Sequence, residues 1–475
     1  MSRMVSYGLW YLNIAALLGA CTIGPTYVKP DMQVPAAFKE QHGWKPAQPK
    51  DELPHGKWWE IFGDAQLNAL VEQVQVSNQN IRAAEARFRQ ARALAQQARA
   101  GVSPTVTGDI SVNRSRAATG AGGGNSSTIH KLGLDASWEP DIWGKVQRSV
   151  ESGNAGVQAG AADLQAAKLS AQAELAQDYF LLRIADARKQ LLEDTVNAYR
   201  TSLQLTSNQY AAGVAARGDV VVAETQLKSA QAQAVDVGVQ RAQLEHAIAV
   251  LMGKAPAEFA IAPAAFTPAP PRIPLGIPSE LLERRPDIAA AERRTAAANA
   301  RIGVAQSAFY PALTLSASAG LQSASFAKWL TYPSRFWALG PALAQTIFDG
   351  GLRRAQTGQA VAVYDENAAD YRQTVLTAFQ EVEDNLAALR ILEQEAQLQD
   401  DAVKAARESV AITGNQYKAG TVSYINVVNV QTIALINERA ALNIQGNRLT
   451  AAVLLIKALG GGWNAAELNG SGVSN

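Results

Sequence analysis

"TVTGDISVN" runs from Thr105 to Asn113, and its alternation decides what kind of chain this is. Val106, Gly108, Ile110 and Val112 fall on one face, and Thr105, Thr107, Asp109, Ser111 and Asn113 on the other. A two-residue period is that of a β-strand with one apolar and one polar side. A Gly/Ser-rich loop follows ("ATGAGGGNSS", 118–127), and alternation resumes with Leu132, Leu134, Ala136 and Trp138 against Lys131, Gly133, Asp135 and Ser137. The spacing predicts strands near residues 104–115 and 129–139.

The same pattern occurs again further along. Shifted by 207 positions, "NIRAAEARFRQAR" at Asn80 falls on "DIAAAERRTAAAN" at Asp287, Pro104 on Pro311, Gly144 on Gly351, and "NQYAAG" at Asn208 on "NQYKAG" at Asn415. A constant offset across prolines, glycines and helix ends marks a duplicated unit. The second copy predicts strands near 311–322, with Leu313, Leu315, Ala317, Ala319 and Leu321 opposing Thr314, Ser316, Ser318 and Gly320, and near 336–348, where Pro341 weakens the signal.

Helical periods flank each hairpin. Leu67, Leu70, Val71, Val74, Ile81, Ala84 and Phe88 predict one amphipathic helix ending near Gly101. No proline interrupts Asp141 to Lys254 or Ala342 to the C-terminus. A helix from Gly144 to Asn208 is about 95 Å long at 1.5 Å per residue. From Val361 to Leu389 the apolar spacing averages close to 3.5 residues, as in coiled coils. Helices of this length disfavour a compact enzyme core.

Four strands of about ten residues, polar on one side and apolar on the other, have the length and pattern of membrane-spanning β-strands. They cannot close alone, since the smallest closed barrels use about eight strands and open edges in lipid leave backbone groups unsatisfied. Copies of the chain must then share a barrel: two, three or four copies supply eight, twelve or sixteen strands. Apolar positions face lipid, and Thr105, Asp109, Asn113, Asp135, Thr314 and Ser316 line water. A soluble sandwich is the alternative arrangement. Trp138, Trp143 and Trp337 suit an interfacial belt or buried packing.

The composition excludes other classes. A net charge of +1 in 475 residues argues against a nucleic-acid partner. The four histidines, His42, His55, His130 and His246, lack ligand spacing, so no metal site is expected, and a single cysteine excludes internal disulfides. Glu292, Arg293, Arg294, Glu381, Glu383 and Asp384 read as solvated helical faces rather than an acid/base pair. No catalytic residue and no cofactor motif stands out. Arg3 followed by an apolar run from Tyr7 to Leu18 reads as a signal peptide, too short for a permanent span. "LGAC" (18–21) places the one cysteine, Cys21, where a lipoprotein carries its diacylglycerol and acyl chain. A Pro-rich arm follows it.

"CTIGPTYVKP" (21–30), "WWEIFGDAQLNALV" (58–71), "LLERRPDIAAAERRTAAANARIGVAQSAFYPALTLSASAG" (281–320), "IFDGG" (347–351) and "AFQEVEDNL" (378–386) resemble the signatures of outer membrane efflux lipoproteins, the NodT-type branch of the TolC-like outer membrane factors. The resemblance covers essentially the whole chain after Cys21. It implies a homotrimer with a twelve-stranded outer-membrane β-barrel continuous with a long periplasmic α-helical coiled-coil barrel. It also implies a role as exit duct of a tripartite pump, with a periplasmic adaptor and an inner-membrane transporter, most often of the resistance-nodulation-division class, that expels drugs or other small toxic compounds. Thr22, after the cysteine, implies outer-membrane sorting. The tips "NQYAAGVAARGDVVVAETQ" (208–226) and "NQYKAGTVSYINVVNVQTI" (415–433) match the family's periplasmic hairpins, which makes Gly213, Val214, Ala215, Ala216, Gly420, Thr421, Val422 and Ser423 adaptor-docking turns. Asn426 and Asn429 fall where relatives often carry the aspartates of a periplasmic constriction, so here that ring is polar without being anionic.

The expected organisation is a signal peptide (1–20), a lipid-anchored arm (21–60), a first efflux repeat (61–254), a Pro-rich linker (255–278), a second repeat (279–460) and a disordered tail (461–475). Two other readings compete with an efflux duct: a duct for type I protein secretion, and a lipid-anchored coiled-coil structural protein without a pore.

Overall fold

The computed structural model describes residues 22–40, 57–116, 126–265, 271, 273, 280–466 and 468. Cys21, the signal peptide, residues 41–56 of the arm and parts of the linker and tail lie outside the described residues. In chain order the main elements are α1 (Ala65–Ser77), α2 (Gln79–Ala100), β1 (Thr105–Arg116), β2 (Ser126–Trp138), α3 (Lys145–Ala211), α4 (Arg217–Leu251), α5 (Pro286–Ser307), β3 (Ala312–Ser323), β4 (Arg335–Ala344), α6 (Leu352–Lys418) and α7 (Tyr424–Ala458). α2 and α5, β1 and β3, α3 and α6, and α4 and α7 each begin 207 residues apart.

The residues divide into two units. The first takes the described parts of Met1–Asp31, Arg87–Gly160 and Ala290–Arg372. It holds the four-stranded antiparallel sheet, in the order β1-β2-β3-β4. Asp109 pairs with Gly133, Asp135 with Ser318 and Ser316 with Gly340, so every strand keeps its polar positions on one face. β1 and β4 are open edges among the described residues. β4 ends at Ala344, short of the expected 348. Past that point Gln345 turns its Nε2 to the carbonyl of Phe309 at 3.1 Å and Ile347 and Phe348 stand exposed. Pro341, which has no N–H to give, is accommodated on this edge strand opposite Leu315.

The chain from Thr22 to Pro25 bends at Gly24, which takes φ +107°, and is bound within this unit. Ile23 donates its N–H to the carbonyl of Trp143 at 3.2 Å. Arg148 Nε and Nη2 donate to the carbonyls of Ile23 and Gly24, each at 3.1 Å. A Cβ on Gly24 would stand 2.5 Å from the Cα of Gly303, so the two backbones meet where neither can carry a side chain. Two residues on, Tyr27 donates to Glu292 Oε1 at 2.5 Å.

The second unit takes the described parts of Met32–Ala86, Ala161–Ala289 and Gln373–Asn475. Its core gathers Trp58, Trp59, Leu67, Val71, Tyr179, Phe180, Val382, Leu386, Leu449 and Leu455, all buried. The single helix expected up to Gly101 is two. Asn78, with φ −65° and ψ 126°, breaks it; its Oδ1 accepts from the N–H groups of Asn80 and Ile81 at 2.9 and 3.1 Å. Its Nδ2 closes the C-terminus of α4 through the Leu251 carbonyl at 2.9 Å.

Arg285 stands at the matching position of the second copy, extended before Pro286 as that ring requires. Buried, it donates from Nε and Nη2 to Asp287 at 3.0 and 2.6 Å, and from Nη1 to Glu381 at 2.6 Å and to the Ala458 carbonyl at 3.2 Å. Several charged residues expected to be merely solvated are therefore structural. Glu381 holds Arg285, Glu292 is buried between Tyr27 and Arg293, and Glu383 accepts the N–H groups of Lys39 and Glu40 at 2.7 and 3.0 Å.

Candidate functional sites: the sheet face and the hairpin tips

All six positions expected to line water, Thr105, Asp109, Asn113, Asp135, Thr314 and Ser316, lie on one face of the sheet. Lys131 joins them, with Nζ 3.3 Å from Asp109 and 3.5 Å from Asp135. On the other face Val106, Ile110, Val112, Leu134, Trp337, Leu339 and Leu343 are each more than half exposed. A run of large apolar side chains open to solvent needs a cover, either another protein or lipid. Of the three tryptophans near the strand ends, Trp337 is exposed and Trp138 donates to the Val102 carbonyl at 3.0 Å. Trp143 is packed, donating to the Pro311 carbonyl at 2.7 Å and stacking on Tyr310 with ring centroids 5.0 Å apart.

Both tips close in the same way. After α3, Gly213 takes φ +77°; its N–H reaches the Tyr210 carbonyl at 2.9 Å, and the Val214 N–H reaches that of Gln209 at 2.8 Å. After α6, Gly420 takes φ +74° and donates to Tyr417 at 3.0 Å, and Thr421 donates to Gln416 at 3.0 Å. These are Schellman turns, in which a left-handed glycine ends the helix. Ala216 and Ser423 are the extended residues that start α4 and α7. Gly213, Val214, Ala216, Gly420, Thr421 and Ser423 are exposed, and Ala215 and Val422 half-buried. Asn426 and Asn429 share an exposed face of α7, while Tyr424 and Val427 on its other face are buried.

The two tips differ beneath the turns. Tyr417 and Tyr424 pack with ring centroids 5.3 Å apart and planes tilted by 56°, in a cluster with Ala223 and Val427. The Tyr417 hydroxyl donates to Thr206 Oγ1 at 3.2 Å, and that of Tyr424 to Gln226 Oε1 at 3.4 Å. Gln226 Nε2 donates to Gln431 at 3.3 Å, and Gln431 Nε2 to Ser202 Oγ at 3.3 Å. Burial pushes the Tyr424 phenol up to about 12, with Tyr417, Tyr199 and Asp219 adding to the shift. The first copy has an exposed Tyr210 and Arg217 at the matching places. In the sequence this internal lock shows only as a difference between the copies, Arg217 in the first standing where Tyr424 stands in the second.

Among the described residues no group of three His, Cys, Asp or Glu side chains is placed to hold a metal ion, and no helix is long and apolar enough to cross a membrane.

The outer membrane efflux protein family model matches residues 70–254 and again 277–461. The efflux pump outer membrane protein TtgC of Pseudomonas putida, described as probable, is 30% identical over 456 residues, covering 94% of each chain. Outer membrane protein OprJ of Pseudomonas aeruginosa is 32% identical over 468 residues, covering 97% of each. The solved structure of the outer-membrane channel OprN superposes with a TM-score of 0.88 at 31% identity, over 93% of this chain and 100% of that one. With both copies of its repeated unit matched, the chain belongs to the outer membrane efflux protein family.

Proposed function

We propose that three copies of this chain close a twelve-stranded barrel in the outer membrane, which passes drugs or other small toxic compounds outward as the exit duct of a tripartite pump. The observation that carries this reading is the sheet itself. Its two open edges demand further strands, its apolar face is exposed over seven large side chains, and its polar face carries Asp109, Lys131 and Asp135 among hydroxyl and amide side chains. Lipid on one side and water on the other satisfy both faces, and joining β1 of one copy to β4 of the next satisfies the edges. A soluble sandwich would bury the apolar face but leave the edges open.

The remaining parts take their roles within this duct. Diacylglycerol on Cys21 anchors the chain, and Thr22, the next residue, belongs to the segment bound beside Trp143, just past the end of β2. The lipid would thus enter the membrane close to the barrel wall. The turns at Gly213–Ala216 and Gly420–Ser423 dock a periplasmic adaptor, which links the duct to an inner-membrane transporter of the resistance-nodulation-division class. Asn426 and Asn429 ring the periplasmic constriction as neutral amides. The relatives named as efflux pump components support this assignment over protein export. Neither a nucleotide site nor an ion-carrying helix is legible in the sequence, so the energy comes from the transporter. The purified, lipid-modified protein is expected to open stable conductances in planar bilayers, and its gene's deletion to lower resistance to hydrophobic or amphiphilic toxicants. A protein that passes no ions would overturn the proposal.

A further inference from the structure

Along the strands, the polar face of the sheet presents Thr105, Thr107, Asp109, Ser111 and Asn113 from β1 and Ile129, Lys131, Gly133, Asp135 and Ser137 from β2. Thr314, Ser316, Ser318, Gly320 and Gln322 follow from β3, and Phe336, Ala338, Gly340 and Ala342 from β4. Asp109, Lys131 and Asp135 are the ionisable residues in this set. They gather at one level of the sheet, where Asp109 pairs with Gly133, Gly133 with Gly320, and Gly320 with Phe336.

The two central strands carry no side chain at that level. A Cβ on Gly320 would stand 2.2 Å from the Leu132 carbonyl oxygen and 2.9 Å from the Cα of Gly133, both backbone atoms. One on Gly133 would stand 2.7 Å from Asp109 Oδ1 and 3.0 Å from Lys131 Cε. The glycine floor is thus what lets Lys131 lie down along the wall. Its ammonium sits between Asp109 and Asp135, with the ring centroid of Phe336 5.7 Å away. One cation facing two carboxylates leaves a net charge of −1 fixed at this level.

We propose that Asp109, Lys131 and Asp135 are the charge filter of the duct, an anionic ring carried on the barrel wall that favours cationic over anionic solutes. The inference rests on the proposed barrel with its polar face inward, in which the copies repeat the cluster around the lumen. It places the selective charge in the membrane portion, whereas Asn426 and Asn429 at the tips carry none. A ring held against the wall acts through its field and leaves the passage clear for bulky solutes. At physiological ionic strength that field extends about 8 Å, so the preference is modest and fades in concentrated salt.

The test is the reversal potential of the full, lipid-modified protein in planar bilayers under a potassium chloride gradient. Wild type is expected to favour potassium. K131M, which removes the cation, is expected to raise the cation-to-anion permeability ratio by about twofold, and D109N/D135N, which leaves the ammonium alone, to shift preference to chloride. Because a variant can assemble poorly, the decisive arm changes charge after assembly. Cys21 is the only native cysteine and is acylated in this reading, so Asp135→Cys offers a single thiol. A trimethylammonium methanethiosulfonate should lower the permeability ratio, and a sulfonate reagent of similar size should raise it. Conducting channels whose ratio ignores both reagents and both variants would overturn the filter while leaving the duct intact. Wild-type material that passes no current would overturn the duct, and the filter with it.

Discussion

Asp178→Asn is expected to stabilise the protein, and only above mildly acidic pH. Asp178 lies on α3 one turn after Glu174, and its carboxyl is pushed up from 3.8 to about 6, first by burial and then by the Glu174 charge. A carboxyl that resists ionisation in the folded state penalises folding wherever the unfolded chain has already ionised. The penalty is absent below pH 3.8, grows between 3.8 and about 6, and is complete above that. Two pH units correspond to about 3 kcal/mol, which partial contact with solvent reduces to about 1–2 kcal/mol. Asparagine fits the site, since Asn385 occupies the matching position on α6 and donates to the Glu381 carbonyl at 2.6 Å. Trp58, Trp59 and Trp463 belong to the same unit and are buried, so their fluorescence reports its unfolding in guanidinium chloride. At pH 8 the variant should require more denaturant, by about 1–2 kcal/mol, and the advantage should shrink through pH 6 and vanish below pH 4. No gain at pH 8 would refute the burial argument. A gain that persists unchanged at pH 4 would assign the effect to packing or helix propensity instead.

Two other substitutions probe the clamp and the tips. R285M keeps an apolar stem but removes all four donated bonds; because Asp287 and Glu381 are 40% and 44% exposed and can rehydrate, the loss should be about 2–3 kcal/mol, below that of a fully enclosed pair. In the same fluorescence assay, adding E381Q to R285M should cost less than the sum of the single losses. G420A meets no neighbouring atom but must hold φ +74°, at about 1–2 kcal/mol, so the tip should fray and capture of the adaptor from cell extracts should weaken, while the barrel's conductance is unchanged.

The elements that were legible in the sequence are those with a period or a stop signal of their own. Two-residue alternation from Thr105 onward gives the strands, and the absence of proline gives the unbroken α3 and α6. The tip turns were visible as glycines ending helical runs. Features that depend on a distant partner stayed hidden. Asn78 looks like any polar residue within a helical pattern until its amide is seen closing the end of α4. Arg183, buried between Asp186 at 2.9 Å and Gln66 at 2.6 Å, sits on an apolar-rich stretch and gives no local sign of its partners; Asp186 in turn binds Arg241 at 2.7 Å. Lys131 follows the alternation, but its fixed place between two carboxylates depends on Gly133 and Gly320 lying side by side, which only the register between β2 and β3 reveals.

A closed duct requires the sheet edges of neighbouring copies to join, and a disulfide across that seam tests the joining directly. Single cysteines replacing Val112 on β1 and Leu339 on β4, both exposed on the apolar face, should under mild oxidation link the variant into dimers and a closed trimer on a denaturing gel, with either cysteine alone giving no trimer. Neighbouring positions Ile110 and Trp337 are paired in the same series, so that each register of the seam places one pair together. Trimeric product from at least one pair is the predicted result, and material that stays a single protomer across the series, alone and without conductance, would contradict it.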